Sequence, residues 1–477
     1  MENNRAQWGS KIGFILAAAG SAVGLGNIWK FPGKAFEGGG GAYILIYLAI
    51  VVLIGFPVML SELTIGRAAQ ANAIDSFHKL GYRGFKWVGV TGVAVAFIVT
   101  SYYCHVGGWV LRYVVSYITE AQTVYADPLG YFYGLLGYNA ATGETWFPLT
   151  AILFAAVFMA VNAFIIIKGV EGGIEKFNKV GMPALFIILI VLLARTITLD
   201  GAQVGFAYML SCDWSKVGFN TFLSALGQAF FSLSLGMAIM ITYGSYLDKK
   251  QDLGKSTMII VGMDTVVALM AGLCVIPGRF ALDPNGALGG PELLFITMQN
   301  VFDKMGPAGP VFGILFYLLV FFAAISSSIS MLEVIVAHFC DKAREKGKGD
   351  RRKLYSAIVV VICAALCALV CADGMGSNHI SPAELLGLAG AKLPGWSTSW
   401  LGLFDSVAEG LLMPLGALLM CLMISWELKP DALRQEILLN GENRPWVYDF
   451  FRLCVKYITP LCMLMILYGQ ISDFFIV

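Results

Sequence analysis

Charge is what this sequence has least of: only 13% of its 477 residues are Asp, Glu, Lys or Arg, and the formal net charge is +1. So even a balance offers no basic face to a polyanion, which excludes nucleic acid as a partner. Histidine is scarcer still. The four residues His78, His105, His338 and His379 are scattered without ligand spacing, so neither zinc nor copper is expected. The ten cysteines fall mostly inside apolar stretches, where a thiol is a small hydrophobe; Cys212 and Cys371 alone are placed to meet an oxidising compartment, and both are expected as free thiols. No Asn-x-Ser/Thr acceptor occurs, and the opening MENNRAQWGSK lacks the short apolar core and cleavage site of a signal peptide, so the first apolar segment is expected to be retained. No nucleophile with its base can be assembled, which leaves a membrane enzyme without machinery.

Hydrocarbon is abundant instead. Apolar residues make up 58% of the chain and the mean hydropathy is +0.75, the composition of a polytopic membrane protein. Eleven segments are long enough to span, near 12–36, 41–66, 88–119, 148–167, 180–196, 220–246, 256–281, 309–340, 354–372, 403–426 and 449–475. Basic residues alternate with them: Arg5 and Lys11, Arg67 to Lys86, Lys168 to Lys179, Lys249 to Lys255 and Arg344 to Lys353 share one side, while the opposite loops, such as 120–147, are poor in Lys and Arg. That bias places the N-terminus in the cytoplasm and, after eleven spans, the C-terminus outside; a bacterial inner membrane is the expected location.

Polar residues inside the apolar runs carry the function. The first segment is interrupted by GSAVGLGNIWKFP at 20–32, where Gly20, Gly24 and Gly26 each weaken the helix by roughly 1 kcal/mol. Lipid satisfies no backbone groups, so a broken span needs a ligand, water or protein at the break. Bare carbonyls there suit a hard cation, and bare amides suit a carboxylate. A glycine-rich packing face is the alternative, but it does not require Asn27. The sixth segment is interrupted likewise by Gln228, Ser232, Ser234 and Gly236. Segments one and six each open a set of five; five is odd, so the second set enters from the opposite side as an inverted repeat, with a binding site at the midplane. Asp264 stands alone in the seventh segment, Ser326 to Ser328 in the eighth, and Tyr102 and Tyr103 in the third, where one of the two is expected merely to pack. Oxygen donors on several segments suit a dehydrated alkali cation. Segments four and five, joined by KGVEGGIEKFNKVGMP, show no buried charge and read as scaffold.

Taken together, GSAVGLGNIWKFP, EGGGGAY, SYYCHVGGW, GQAFFSLSLG and FFAAISSSIS resemble, in order and over essentially the whole chain, the signature stretches of the neurotransmitter:sodium symporter family, in its bacterial amino-acid transporter branch with eleven spans. The resemblance implies an all-α fold of two inverted five-helix repeats, 11–200 and 201–426, after a cytoplasmic segment 1–10 and before a loop and eleventh helix at 427–477. It implies sodium-coupled, alternating-access uptake with two sodium sites, in a lipid bilayer. A sensor that binds sodium and amino acid without transport remains the alternative.

Carried over by resemblance, one sodium would be held by the Ala22 carbonyl, Asn27, Ser232, Asp264 and the substrate carboxylate. The other would be held by carbonyls of Gly20, Val23 and Ala323 and hydroxyls of Ser326 and Ser327. The substrate would place its carboxylate on the amides of the first break, around Gly24 and Gly26, and on Tyr103; its amine would meet carbonyls of Ala22, Phe231 and Ser234. The side-chain pocket would be Val99, Tyr103, Phe231, Met237, Ser327 and Met331. The implied gates are Lys30 with Asp405, with Glu409 as a second candidate, and Arg5 with Asp341, beside Trp8 and Tyr246. Four positions depart from the common pattern: Lys30 replaces arginine, Ser232 threonine and Asp264 asparagine, while Ala268 stands where some chloride-independent relatives carry glutamate. Gly24 occupies the place where amine transporters carry an aspartate, which points to a substrate with its own carboxylate and, given Met237 and Met331, to a neutral apolar or aromatic α-amino acid taken up without chloride.

Overall fold

The computed structural model describes residues 6–287, 289–388, 395–427, 430–438 and 445–475. Among these the chain is almost wholly helical, and β pairing is confined to the isolated bridges Gly40–Cys212 and Tyr138–Thr145. Among the described residues nine helices are long and apolar enough to cross a membrane: Gly41–Ala69, Arg83–Thr119, Leu149–Ile167, Val170–Ile197, Leu253–Leu282, Gly306–Glu345, Arg352–Gly376, Trp400–Glu427 and Trp446–Ser472. A tenth span is the bent pair Lys11–Ala22 and Gly26–Glu37, which turns by 48° at its break. The sixth segment is two short pieces, Phe219–Ser232 and Ile239–Gly244, neither long enough to span alone. Among the described residues ten of the eleven expected segments are thus spans by length and composition, and the sixth is two short helices; the eleven segments keep their sequence numbers below.

Exposure sorts the spans. The second, third and seventh are mostly buried, whereas the fourth, fifth and ninth turn Leu153, Val157, Phe164, Ile187, Ile190 and Val361 outward, a bare aliphatic belt suited to lipid. The first segment and the sixth are enclosed by this scaffold: residues 13 to 28 and 228 to 247 are buried throughout apart from a half-exposed Leu16.

Each break has a legible cause. Val23 is extended at the end of the first half-helix, φ −69° and ψ 104°, and its N–H closes back on the Ala19 carbonyl. The sixth segment loses its helix where Ser234, Gly236 and Ala238 adopt φ of +54°, +75° and +57°. Left-handed backbone at a serine and an alanine is costly and persists only where the surroundings enforce it. Glycine is required at 236, because a Cβ there would lie 2.7 Å from the Met413 carbonyl oxygen. Glu62, from the second span, accepts the freed Gly236 N–H at 2.7 Å. The breaks are also stitched to each other: Gln228 donates to the Gly26 carbonyl at 3.0 Å and Ser234 to the Ser21 carbonyl at 2.9 Å.

Two expectations are corrected. The stretch joining segments four and five is helical from Val170, not a loop, and it does bury a charge: Glu175 accepts from Gly9 N at 2.7 Å and Ser10 Oγ at 2.8 Å and pairs with Lys179 at 2.6 Å. Neither tyrosine of the third span merely packs. Tyr102 donates to Asp405 Oδ1 at 2.8 Å, and the Tyr103 hydroxyl accepts from Leu25 N at 3.0 Å.

Candidate functional site

Four segments converge at the first break. Asn27 donates to Asp264 Oδ1 at 2.7 Å and to Ser232 Oγ at 3.0 Å, and Ser232 donates to both Asp264 oxygens at 3.0 and 2.9 Å. All three side chains are buried, and Asn27 Oδ1 in turn accepts from Gly24 N at 2.9 Å. A carboxylate, a hydroxyl and a primary amide at such spacing form a compact oxygen cluster with one formal negative charge. Among the described residues no three His, Cys, Asp or Glu side chains gather as a metal cluster.

On the other side of the break the serines of the eighth span divide their roles. Ser326 bonds back to the Phe322 and Ala323 carbonyls at 2.9 and 3.0 Å, and Ser328 to Ala324 and Ile325 as well as to Asn162. Ser327 leaves its helix and reaches the Ser21 and Val23 carbonyls at 3.1 and 3.4 Å. Val23, Ala323, Ser326 and Ser327 thus meet through these bonds. Gly20 lies one turn before Val23, with its Cα face against Asn178 of the fifth span.

Between the two clusters runs a narrow cavity with about 20 Å³ of free volume. Ala22, Gly24, Gly26, Val99, Tyr103, Phe231, Ser234, Met237, Ser327 and Met331 all line it, together with Ser21, Leu25 and Ser232. That volume holds about one water, so any larger occupant requires Phe231 and the two methionines to move apart. Gly24 is at the tightest point. A Cβ there would come within 2.6 Å of Ser327 Oγ and 2.8 Å of the Tyr103 hydroxyl, and one at Gly26 within 2.7 Å of the Phe231 ring.

Phe231 separates this cavity from a wider one of about 430 Å³ that includes Trp29, Lys30, Lys34, Tyr102, Asp405 and Glu409. Lys30 grips both carboxylates, Asp405 at 3.2 Å and Glu409 at 2.5 Å, and its ammonium stands 4.0 Å over the Phe231 ring. Both candidate partners of Lys30 are therefore engaged.

At the opposite end Trp8 donates its indole N–H to the Tyr243 carbonyl at 3.0 Å and packs edge-on against the Tyr243 and Tyr246 rings. Asp341 accepts from Asn72 N at 3.0 Å; Arg5 lies outside the described residues. Here the structure adds what the sequence reading missed. Glu333, fully buried two residues beyond Met331, holds Arg352 through both guanidinium nitrogens and accepts from the Tyr246 hydroxyl at 2.7 Å, while Arg352 Nε caps the Ile166 carbonyl at 2.9 Å. A lone glutamate in the apolar run SISMLEVIVAH was the available signal.

The model of the Sodium:neurotransmitter symporter family matches residues 5–124 and 137–475. An uncharacterised sodium-dependent transporter, YhdH, of Bacillus subtilis (strain 168) is 36% identical over 99% of both chains, and an uncharacterised sodium-dependent transporter of Haemophilus influenzae (strain ATCC 51907 / DSM 11121 / KW20 / Rd) is 32% identical over 97% of both. The crystal structure of MhsT in complex with L-phenylalanine superposes with a TM-score of 0.83 at 36% identity, over 98% of this chain and 100% of that one. With two broken spans meeting at a buried oxygen cluster, and with these likenesses over nearly its full length, the chain belongs to the sodium:neurotransmitter symporter family.

Proposed function

We propose that this membrane transporter carries a neutral, apolar or aromatic α-amino acid together with two sodium ions, without chloride, from an outward to a cytoplasmic opening. Units 11–200 and 201–426 would be its inverted halves, set in an inner membrane with the N-terminus cytoplasmic and the C-terminus outside. The observation that carries this reading is the bare Gly24 between two oxygen clusters. The first cluster, Asn27, Ser232 and Asp264 with the Ala22 carbonyl, would take one sodium once the Asn27 amide turns its oxygen inward. There is no room at position 24 for a fixed carboxylate, so the substrate must bring one. That carboxylate completes the first sodium shell and rests on the Tyr103 hydroxyl and the amides of the break. The second sodium would sit among the carbonyls of Gly20, Val23 and Ala323 and the hydroxyls of Ser326 and Ser327. Lys30 with Asp405 and Glu409, and Asp341 with Arg5 and the Trp8–Tyr246 contact, would close the two ends in turn. The phenylalanine bound by MhsT supports an aromatic substrate here.

In purified protein with sodium, L-phenylalanine should displace a labelled apolar amino acid, and phenethylamine, which lacks only the carboxylate, should be weaker by at least about a hundredfold, since losing that negative charge leaves sodium a ligand short. Tight binding of the amine would remove the basis for this substrate class. Gly24→Ala should weaken substrate binding about ten- to a hundredfold, because the added methyl has to push Ser327 and Tyr103 aside at a cost of about 1–3 kcal/mol. Equilibrium binding within twofold of the parent would contradict it.

A further inference from the structure

Five charged side chains line the wider cavity: Lys30, Lys34 and Glu37 from the first span, and Asp405 and Glu409 from the tenth. Lys30 and Lys34 are four residues apart in the second half of the first span, and Asp405 and Glu409 are four apart in the tenth. That spacing is one helical turn, so each pair is aligned along its own helix. Two ammoniums face three carboxylates, and the bonding is lopsided. Lys30 takes both Asp405 and Glu409, and the Lys34 ammonium makes no hydrogen bond or ion pair with any described residue.

Lys34 is nevertheless within the gate. It lines the 430 Å³ cavity and also a second chamber of about 300 Å³, behind the gate, whose wall includes Asn220, Ser224, Ser406 and Gln470. Asp405 and Glu409 line both as well, so these three residues form the partition. The tenth span is a π-helix over Ser406–Leu412, as several other spans are in part.

We infer that Lys34 is the relay cation of this gate: when Lys30 releases Asp405 and Glu409 on opening, Glu409 passes to Lys34, so the partition opens without leaving two neighbouring carboxylates uncompensated. The inference rests on the alternating-access reading above. The physical reason is that separating Lys30 from both carboxylates strands like charges in a wall of low dielectric, which raises the barrier to opening unless another cation takes one of them. Lys34 is then a positioning residue for opening and adds nothing to the closed form.

The test is the rate of substrate release. Purified protein is loaded with labelled amino acid in sodium and chased with excess unlabelled ligand, and uptake into proteoliposomes is followed in parallel. Lys34→Gln should slow release and lower maximal uptake about tenfold, without weakening affinity; Lys34→Arg should restore both to within about twofold; and Lys30→Gln should instead speed release. Glu409→Gln should abolish the effect of Lys34→Gln, since the partner is gone. Release and uptake at the parental rate in Lys34→Gln would overturn the inference, as would faster release, which would make Lys34 part of the closed gate, or slower association alone, which would make it an attractor of substrate. Should Lys34→Gln fail to fold, the arginine variant and Glu409→Gln decide: release from Glu409→Gln slower than the parent, although the stranded carboxylate is gone, refutes the relay. A parent protein that binds in sodium but never accumulates substrate would refute transport and leave the release test readable.

Discussion

Asp264→Asn should abolish sodium-driven uptake in chloride-free medium, or make it depend on added chloride. In the proposed loaded state two cations beside a zwitterion leave two net positive charges inside a low-dielectric core, and Asp264 is the single formal negative charge in the Asn27–Ser232 cluster. Removing a buried partner of this kind costs about 3–5 kcal/mol, which corresponds to at least a hundredfold loss of sodium affinity. Ala268 cannot supply a replacement, because its methyl side chain carries no charge. An external anion could, which is why chloride is the diagnostic addition. The parent should transport equally in chloride and gluconate. It should also need more sodium as pH falls, since a proton and sodium compete for the same carboxylate. Sodium-concentration curves for the two proteins in both anions measure this directly. A parent that requires chloride, or an asparagine variant indifferent to it, would show that Asp264 does not balance the charge.

Replacing Ser326 and Ser327 together by alanine should eliminate uptake. The two hydroxyls are two of the five ligands proposed for the second sodium, and Ser327 is also the side chain that ties the eighth span to the Ser21 and Val23 carbonyls across the break. Losing two hydrogen-bonding oxygens in a buried site is worth about 2–6 kcal/mol, which raises the sodium requirement by about thirtyfold or more. Ser326→Ala alone should do less than Ser327→Ala, because Ser326 bonds only within its own helix. Flux assays over a sodium series separate the three variants. Undiminished uptake in the double variant would place the second ion elsewhere.

The parts of this site that were legible from sequence are those whose residues are expensive in lipid. Three glycines cannot hold a span together, and Asn27, Ser232 and Asp264 each carry a desolvation penalty that calls for partners, so their meeting was foreseeable although 237 residues separate Asn27 from Asp264. Other features were hidden because their sequence signal had a ready second meaning. Arg352 sits in a basic run that reads as a topology signal, yet it is the partner of Glu333. Glu175 lies in a lysine- and glycine-rich stretch that reads as a connecting loop, and only the packing of the N-terminal Gly9 and Ser10 against it reveals a buried cap. Lys34 looks like a residue at the end of a helix reaching for water. Its relation to Asp405 and Glu409 depends on how two distant helices are set side by side, which no local pattern encodes.

The most direct measurement of the central claim is uptake of labelled L-phenylalanine by proteoliposomes that hold the purified protein, with sodium outside, potassium inside, gluconate as the sole anion and a valinomycin-set potential of about −100 mV. Two charges moving inward with a zwitterion gain roughly 4–5 kcal/mol from that potential, or accumulation on the order of a thousandfold before the sodium gradient is counted. The account predicts concentrative uptake that is enhanced by the inside-negative potential and vanishes when sodium is replaced by potassium outside. Sodium-stimulated binding with no accumulation, or accumulation indifferent to sodium and to potential, would contradict it.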